Sequence, residues 1–518
     1  MPCFFRVICP ARNKALFMTI FNKWYTGLAL ALIGVAGVLA GTADYGPGMS
    51  PDSTSYVECA RHLLDGEGFH TGWGLYVRWP PLFPILLAGL GLLGLDVMDV
   101  FRFFNAACFG LIIYFVHRLF AKDLKFPYLV FTGAVTVLLF EPLLKTSMMV
   151  LSEPLYTLLT VFFVMSIHAY TKTQTYSQAA WTGCITGMAA LTRYYGVSLI
   201  LCGGLIILLS SRELHWKSVM GRAGAFGLIA SLPLGAWLLR NFLQTGSLAG
   251  PRGTNPYGFV EIIEILSRSL TGFIMPQAVP PAFRLLICAA ALFAFLFLFK
   301  RFSDSAEKEW TLAKTMAVTV LVCTGFLLYS YLTTWLDPTA DRYLAPVQFA
   351  AVFLALYFVD SLIGAAPQIH QAGKLAAPVV LVLCTLWMGG LSLHVISRSG
   401  EVINNPEKNL AWMEVTSNMH PSASLLTTKG NALLDLGEFS KAAESFEQAA
   451  KLSRAPGPAW IAAGKAAIRA EDYLMAVRML ENAKEFDPVA GEAEELLSQL
   501  PPGVCGSIQD PVSGHDSP

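Results

Sequence analysis

Apolar runs long enough to cross a bilayer recur along the chain as far as Ser397 and then stop. A span takes about 20 mostly apolar residues. Such runs lie at about 25–43, 101–117, 127–145, 153–170, 179–195, 196–211, 223–240, 283–300, 314–334, 342–363 and 376–397. Leu82–Leu95 is apolar but short, and the distribution of basic residues decides how to read it. Arg6, Arg12, Lys14 and Lys23 precede the first run. If Leu82–Leu95 stays at the membrane edge, Arg118, Lys122, Lys125, Lys172, Arg212, Lys217, Arg222, Lys300, Arg301, Lys308, Lys314 and Lys374 fall on the same side as these four. Basic connectors mark the cytoplasmic side. The pattern therefore predicts eleven spans, with residues 1–24 in the cytoplasm and the C-terminus outside. Loop 44–100, the Glu141–Glu153 turn, loop 241–282 and the Trp335–Arg342 turn then share the outer face. Leu39-Ala40-Gly41-Thr42-Ala43 ends the first run in small residues, as a signal peptide does, but the many later spans favour an uncleaved first helix.

After Ser397 the sequence becomes charged and amphipathic, and it repeats with a period of 34. Leu426, Gly430, Phe439, Ala442, Phe446 and Ala449 return as Trp460, Gly464, Tyr473, Ala476, Leu480 and Ala483, with Pro488 closing the second unit. Small residues at fixed places let two helices approach closely, and larger ones fill the space between them. The segment 400–500 resembles tetratricopeptide repeats, one at about 423–456 and one at about 457–490. Stability on their own takes about three such repeats. The expectation is that 401–424 adds a degenerate helix pair, or that the repeats lean on the membrane domain. The Pro-, Gly- and Ser-rich tail 501–518 reads as disordered.

Composition supports the membrane reading. Of 518 residues 54% are hydrophobic and 14% are charged, where soluble domains carry about a quarter charged residues. Mean hydropathy is +0.53. The formal net charge is zero, which speaks against a nucleic-acid partner. The ten cysteines are scattered and form no C-x-x-C, so neither a zinc site nor a disulfide framework is expected.

The candidate chemistry lies in the outer loops. Loop 44–84 is the only long polar stretch before Gly400 that is rich in acids, aromatics, Gly and Pro. Within it Ser53–Leu64 reads as a short amphipathic helix, with Tyr56, Ala60 and Leu63 on one face and Asp52 at the N-cap. Asp52 has two readings: a helix cap, or a carboxylate acting as general base toward a hydroxyl at the membrane edge. Glu58 reads as a solvated helix face. Trp73, Tyr76 and Trp79 suit either sugar stacking or an interfacial aromatic belt. Arg78, Arg193, Arg240, Arg252 and Arg342 all fall at outer helix ends or in outer loops. They suit a lipid phosphate, since guanidinium offers a bidentate fork, but they equally suit pairing with acids such as Glu153.

Asp52-x-x-x-Tyr56-x-x-x-Ala60-x-x-Leu63-x-x-Gly66, followed by Trp79-Pro80-Pro81-Leu82-Phe83-Pro84, resembles the first outer loop of GT-C glycosyltransferases. These include protein O-mannosyltransferases and lipid A aminoarabinose transferases. Arg102-Phe-Phe-Asn105, Ser152-Glu153-Pro154, Gly187-Met-Ala-Ala-Leu-Thr-Arg193, Trp237-Leu-Leu-Arg240-Asn241 with Gly246, and Asp341-Arg342-Tyr343-Leu-Ala-Pro346 continue the likeness over about residues 25–350. The resemblance implies transfer of a sugar from a polyprenyl-phosphate carrier on the extracytoplasmic face. Asp52 is then the base and Glu153 a second acid, assisting or binding a divalent cation. Tyr56, Arg78, Arg193, Arg240, Asn241, Arg342 and Tyr343 are the implied substrate contacts. The family's acidic site is often two adjacent acids, whereas Ser53 follows Asp52 here.

The expected fold is thus all-α, a polytopic GT-C-like membrane bundle (25–399) with a C-terminal α-solenoid of tetratricopeptide type. The expected location is a bacterial inner membrane, and the repeats are an expected surface for a protein partner. The competing class is a transporter or flippase of a lipid-linked precursor, or a scaffold acting through its repeats. A transporter should carry ionisable groups at mid-span and duplicated spans, and the sequence shows neither.

Overall fold

The computed structural model describes residues 21–43, 46–71, 74–211, 214–250, 257–271, 280–289, 310–334, 341–365, 423–453 and 455–501, with isolated positions between them. Most of the expected span 376–397, of 283–300 and of the segment 401–424, and the tail after 501, lie outside the described residues. In chain order the helices are α1 (Trp24–Gly41), α2 (Pro51–Leu64), α3 (Leu82–Gly91), α4 (Val97–Asp123), α5 (Pro127–Leu138), α6 (Glu141–Ser147), α7 (Glu153–Thr173), α8 (Tyr176–Thr192), α9 (Val197–Ser210), α10 (Trp216–Thr245), α11 (Phe259–Thr271), α12 (Leu312–Thr333), α13 (Asp341–Ala365), α14 (Ala423–Asp435), α15 (Phe439–Leu452), α16 (Gly457–Arg469), α17 (Tyr473–Lys484) and α18 (Asp487–Ser498). A two-stranded hairpin, His70–Thr71 with Gly74–Leu75, follows α2.

The chain forms two compact units. One comprises Met1–Ala40, Leu75–Leu86 and Phe103–Ser397, and the other Gly41–Gly74, Leu87–Arg102 and Arg398–Pro518.

Among the described residues, six helices are long and apolar enough to cross a membrane: α1, α4, α7, α10, α12 and the Arg342–Ser361 part of α13. The pair α5 and α6, bent by 49°, makes a seventh if it counts as one span. Of the expected eleven, most of 376–397 and of 283–300 lies outside the described residues. α8 has 17 residues and α9 has 14. At 1.5 Å per residue they reach about 26 and 21 Å, short of a hydrocarbon core of roughly 30 Å. Hydropathy alone does not separate such helices from full spans. α3, with 10 residues, is shorter still. The outward faces carry exposed Leu32, Ile33, Leu228, Leu232 and Leu321, which suits contact with lipid rather than water.

Two glycines set the approach of α8 to α10. A Cβ at Gly183 would stand 2.9 Å from the carbonyl oxygen of Phe226, and one at Gly187 would stand 3.3 Å from that of Ala230. These residues, four apart on α8, let it lie directly on the backbone of α10. That packing brings the C-terminus of α8, with Arg193, beside the C-terminal half of α10.

In the second unit the 34-residue period is visible as structure. α14 and α15 form one pair, α16 and α17 the next, with starts 34 apart. A Cβ on Gly430 would meet the Phe446 ring at 2.7 Å, and one on Gly464 the Leu480 side chain at 2.5 Å. Leu433, Ala442, Phe446, Ala463, Ala467 and Met479 make a shared core across the two pairs. α18 covers the end through Ala493, against Ile461, Leu480 and Ala483. The turns differ at one equivalent position: Gly437 has φ +77° and Glu471 has φ +58°. A side chain in this left-handed region costs roughly 1–2 kcal/mol, partly offset by the greater unfolded-state entropy of glycine. Glu471→Gly is therefore expected to stabilise this unit by about 0.5–1 kcal/mol, read as a raised denaturation midpoint.

Candidate active site

Glu153 opens α7, and its carboxylate is 1% exposed. The turn before it is shaped by Asn105 of α4, whose amide donates to the carbonyls of Met149 (2.9 Å) and Leu151 (3.2 Å). Arg193 reaches Glu153 from the end of α8. Extended backbone at Arg193 (φ −147°, ψ 138°) terminates that helix and directs the chain into the short turn Tyr194–Gly196. Its Nη1 stands 2.8 Å from Glu153 Oε2 and donates to Ser152 Oγ at 3.1 Å. Arg342, at the start of α13, places Nη1 3.9 Å from Glu153 Oε1. Its Nη2 donates to Tyr343 Oη at 2.9 Å. The Tyr343 ring lies under both guanidiniums, with centroid distances of 5.9 Å to Arg193 and 4.9 Å to Arg342. Four residues singled out from sequence, far apart in the chain, thus meet at one point. Two guanidiniums face one buried carboxylate.

Arg240 and Asn241, near the end of α10, act on the segment Leu75–Arg78. Arg240 Nη1 donates to the Tyr76 carbonyl and to Asn241 Oδ1, both at 3.0 Å. Asn241 Nδ2 donates to the Val77 and Leu248 carbonyls at 3.4 and 3.1 Å. Tyr194 Oη donates to the Val77 carbonyl at 3.1 Å and accepts from Trp237 Nε1 at 3.2 Å. Arg240 stacks over Trp237 (4.8 Å) and Arg78 over Trp79 (5.4 Å). The sequence gives no warning of Tyr194 except that it follows Arg193 directly, yet it joins the Arg193 turn to Val77. Arg284 was also hidden, inside an apolar run. It is 2% exposed and donates to Thr271 Oγ1 at 2.7 Å.

Asp52 and Tyr56 belong to the second unit. The expected N-cap is corrected: α2 starts one residue before Asp52, and Ser50 caps it. Ser50 Oγ accepts from Ser53 N at 3.2 Å, while Ser53 Oγ accepts from Ser50 N at 3.0 Å. Pro51 supplies a preset φ and has no N–H to satisfy at the first helical position, so the cap falls on the serine before it. Asp52 sits half-buried in the first turn, where backbone N–H groups and the helix dipole favour a carboxylate. Ser50→Ala is expected to cost about 1 kcal/mol, seen as faster amide exchange in α2. Glu58 is corrected as well. It is fully buried, as are all residues from Ser53 to Arg61, and so is Tyr56, at 1% exposed. Arg61 stands 3.9 Å from Asp96. Burial lowers its pKa from the ordinary arginine value, opposed by the Asp96 and Asp65 carboxylates.

Among the described residues no group of three or more His, Cys, Asp or Glu side chains is placed to hold a metal ion. Glu153, flanked by Arg193 and Arg342, does not fit a divalent cation, because the two positive groups repel it.

No family model and no curated protein matches the chain. Among solved structures it is similar to the S. cerevisiae protein O-mannosyltransferase Pmt1-Pmt2 complex bound to the sugar donor, at 18% identity over 43% of this chain and 34% of that one, with TM-score 0.35. It is also similar to ArnT from Cupriavidus metallidurans bound to undecaprenyl phosphate, at 13% identity over 92% of this chain and 81% of that one, with TM-score 0.48. A third is the Archaeoglobus fulgidus oligosaccharyltransferase in complex with Zn and sulfate, at 14% identity over 74% of this chain and 55% of that one, with TM-score 0.42. The match thus spans about a third of the yeast chain and just over half of the archaeal one.

Proposed function

We propose that the chain is a GT-C-type membrane glycosyltransferase that moves a sugar from a polyprenyl-phosphate donor to an acceptor hydroxyl on the extracytoplasmic face. The observation that carries this reading is the Glu153 site, where Arg193 at 2.8 Å and Arg342 at 3.9 Å converge on one buried carboxylate. Guanidiniums gathered at one place suit an anion, and bidentate donors suit a phosphate. The sequence likeness to GT-C loops, from Asp52 to Pro346, supports the same assignment.

In this reading Asp52 takes the proton from the acceptor hydroxyl. The freed oxygen attacks the anomeric carbon from the face opposite the carrier, with inversion. The bond from that carbon to the phosphate oxygen breaks, and the phosphate leaves on its lipid with one more negative charge. Arg342, supported by Glu153 and Tyr343, stabilises that developing charge. Arg240 and Asn241 hold the Leu75–Arg78 segment so that Arg78 and Trp79 border the donor. The C-terminal helix pairs are read as tetratricopeptide repeats on the outer side of a bacterial inner membrane.

The test uses the purified full chain in lipid nanodiscs with undecaprenyl-phosphate carrying radiolabelled hexose or pentose. Expected is passage of label from the lipid fraction to an acceptor hydroxyl. Label that only changes leaflet, together with unchanged glycans and glycolipids in cells lacking the chain, overturns the assignment in favour of a flippase.

A further inference from the structure

We infer that the C-terminal repeats are the support of the Asp52 loop, held through Gly46 and Thr428, and that Thr428 is a positioning residue for Asp52. The catalytic part of this inference rests on the reading of Asp52 as the base.

Gly41–Gly74 and Arg398–Pro518 belong to the same compact unit. Within it Gly46 has φ +67°, and a Cβ there would stand 2.9 Å from Thr428 Oγ1, with the other Thr428 side-chain atoms at 3.8 Å and beyond. The loop backbone therefore lies directly on α14. The repeat itself supplies an internal comparison. Leu425 and Thr428 are 0% and 4% exposed. Their equivalents 34 residues later, Ala459 and Ala462, are only half-buried. Three residues apart on one helix, Leu425 and Thr428 form a stripe that the second pair does not need, and Gly46 lies on it.

The path from Gly46 to the proposed base is short and stiff. Pro47, Gly48 and Met49 are buried. Pro47 and Pro51 fix their own φ, and the reciprocal Ser50–Ser53 cap closes the start of α2. The far side of the loop is also pinned, by Arg102 Nε donating to Thr42 Oγ1 at 3.0 Å and by Arg61 against Asp96. A displacement of Gly46 has little slack in which to dissipate before Asp52.

The experiment is a double-mutant cycle in the full chain, with two readouts: sugar transfer, and hydrogen exchange of the Ser53–Arg61 amides. Gly46→Ala is expected to lower transfer about tenfold and to speed exchange about tenfold. Thr428→Ala, which removes the atom the new Cβ would strike, is expected to change each by about threefold at most, and the double variant to return to the Thr428→Ala level. Gly68→Ala is the control. Gly68 has φ +82° with nothing within 4 Å of its Cβ, so it carries the backbone strain without the contact, and both readouts should stay within about twofold. The proposal is overturned if Gly46→Ala behaves like Gly68→Ala, or if the two effects simply multiply in the double variant. If no form of the chain transfers sugar, the transferase reading fails while hydrogen exchange still decides whether the repeats hold the loop.

Discussion

Asp52→Asn lowers sugar transfer by about a hundredfold to ten-thousandfold, the range a positioned general base contributes, and leaves the chain folded. Asparagine matches aspartate in size and hydrogen-bonding reach but cannot take the acceptor's proton. The location of the cap makes the variant informative. Were Asp52 the cap, its replacement would also loosen α2. With Ser50 and Ser53 capping each other, the cap survives, and the charge lost at the helix start is worth about 0.3–1 kcal/mol. Ser50→Ala weakens the helix start and lowers transfer only as far as α2 loosens. Initial transfer rates at matched protein amounts, beside thermal unfolding in detergent, separate the two. An Asp52→Asn rate equal to that of the native chain removes Asp52 from the mechanism.

How far the site could be read from sequence depends on what each residue answers to. The long spans were legible because lipid asks only for an unbroken apolar run: α7 and α12 begin and end within three residues of the expected 153–170 and 314–334. α8 and α9 are apolar but shorter than the six long helices, and hydropathy does not show where a helix ends. The cap was misplaced because Ser50, Asp52 and Ser53 are all good caps, and only Pro51 decides among them. Glu58 was misread because the faces of an isolated helix say nothing of what surrounds it, and α2 is enclosed on nearly every side. Arg193 and Arg342 carried two readings, phosphate binding and pairing with Glu153. The geometry shows the pairing, with one carboxylate holding both guanidiniums at one place. Arg240 went the other way. Its Nη1 bonds to the Tyr76 carbonyl and to Asn241, so its first task is to hold the loop segment with Arg78. Asn105 belonged to a motif without a task until its bonds to the Met149 and Leu151 carbonyls showed that it shapes the approach to Glu153.

Arg193→Met destabilises the chain by about 3–5 kcal/mol, the cost of leaving a buried charge without its partner. Methionine fills similar length, so the loss is electrostatic more than one of packing. Glu153 is almost fully buried, and what remains is Arg342 at 3.9 Å against the 2.8 Å contact removed. Glu153→Gln is expected to be destabilising too, since two guanidiniums then face each other across a neutral amide. The double variant is expected to cost less than the sum of the singles by about 0.5–3 kcal/mol, measured by thermal unfolding in detergent. A loss below about 1 kcal/mol for Arg193→Met, with additive singles, would sink the idea that this pair holds the site together. Kinetics give a second view. Without Arg193 the Glu153 carboxylate turns to Arg342 and withdraws it from the donor phosphate, so KM for the lipid donor rises along with a fall in kcat. Arg193→Lys keeps the charge but offers no planar fork to reach Glu153 and Ser152 together. It is expected to fall between the native chain and Arg193→Met on both measurements, and a lysine variant as poor as methionine would show that the fork, rather than the charge, is what the site needs.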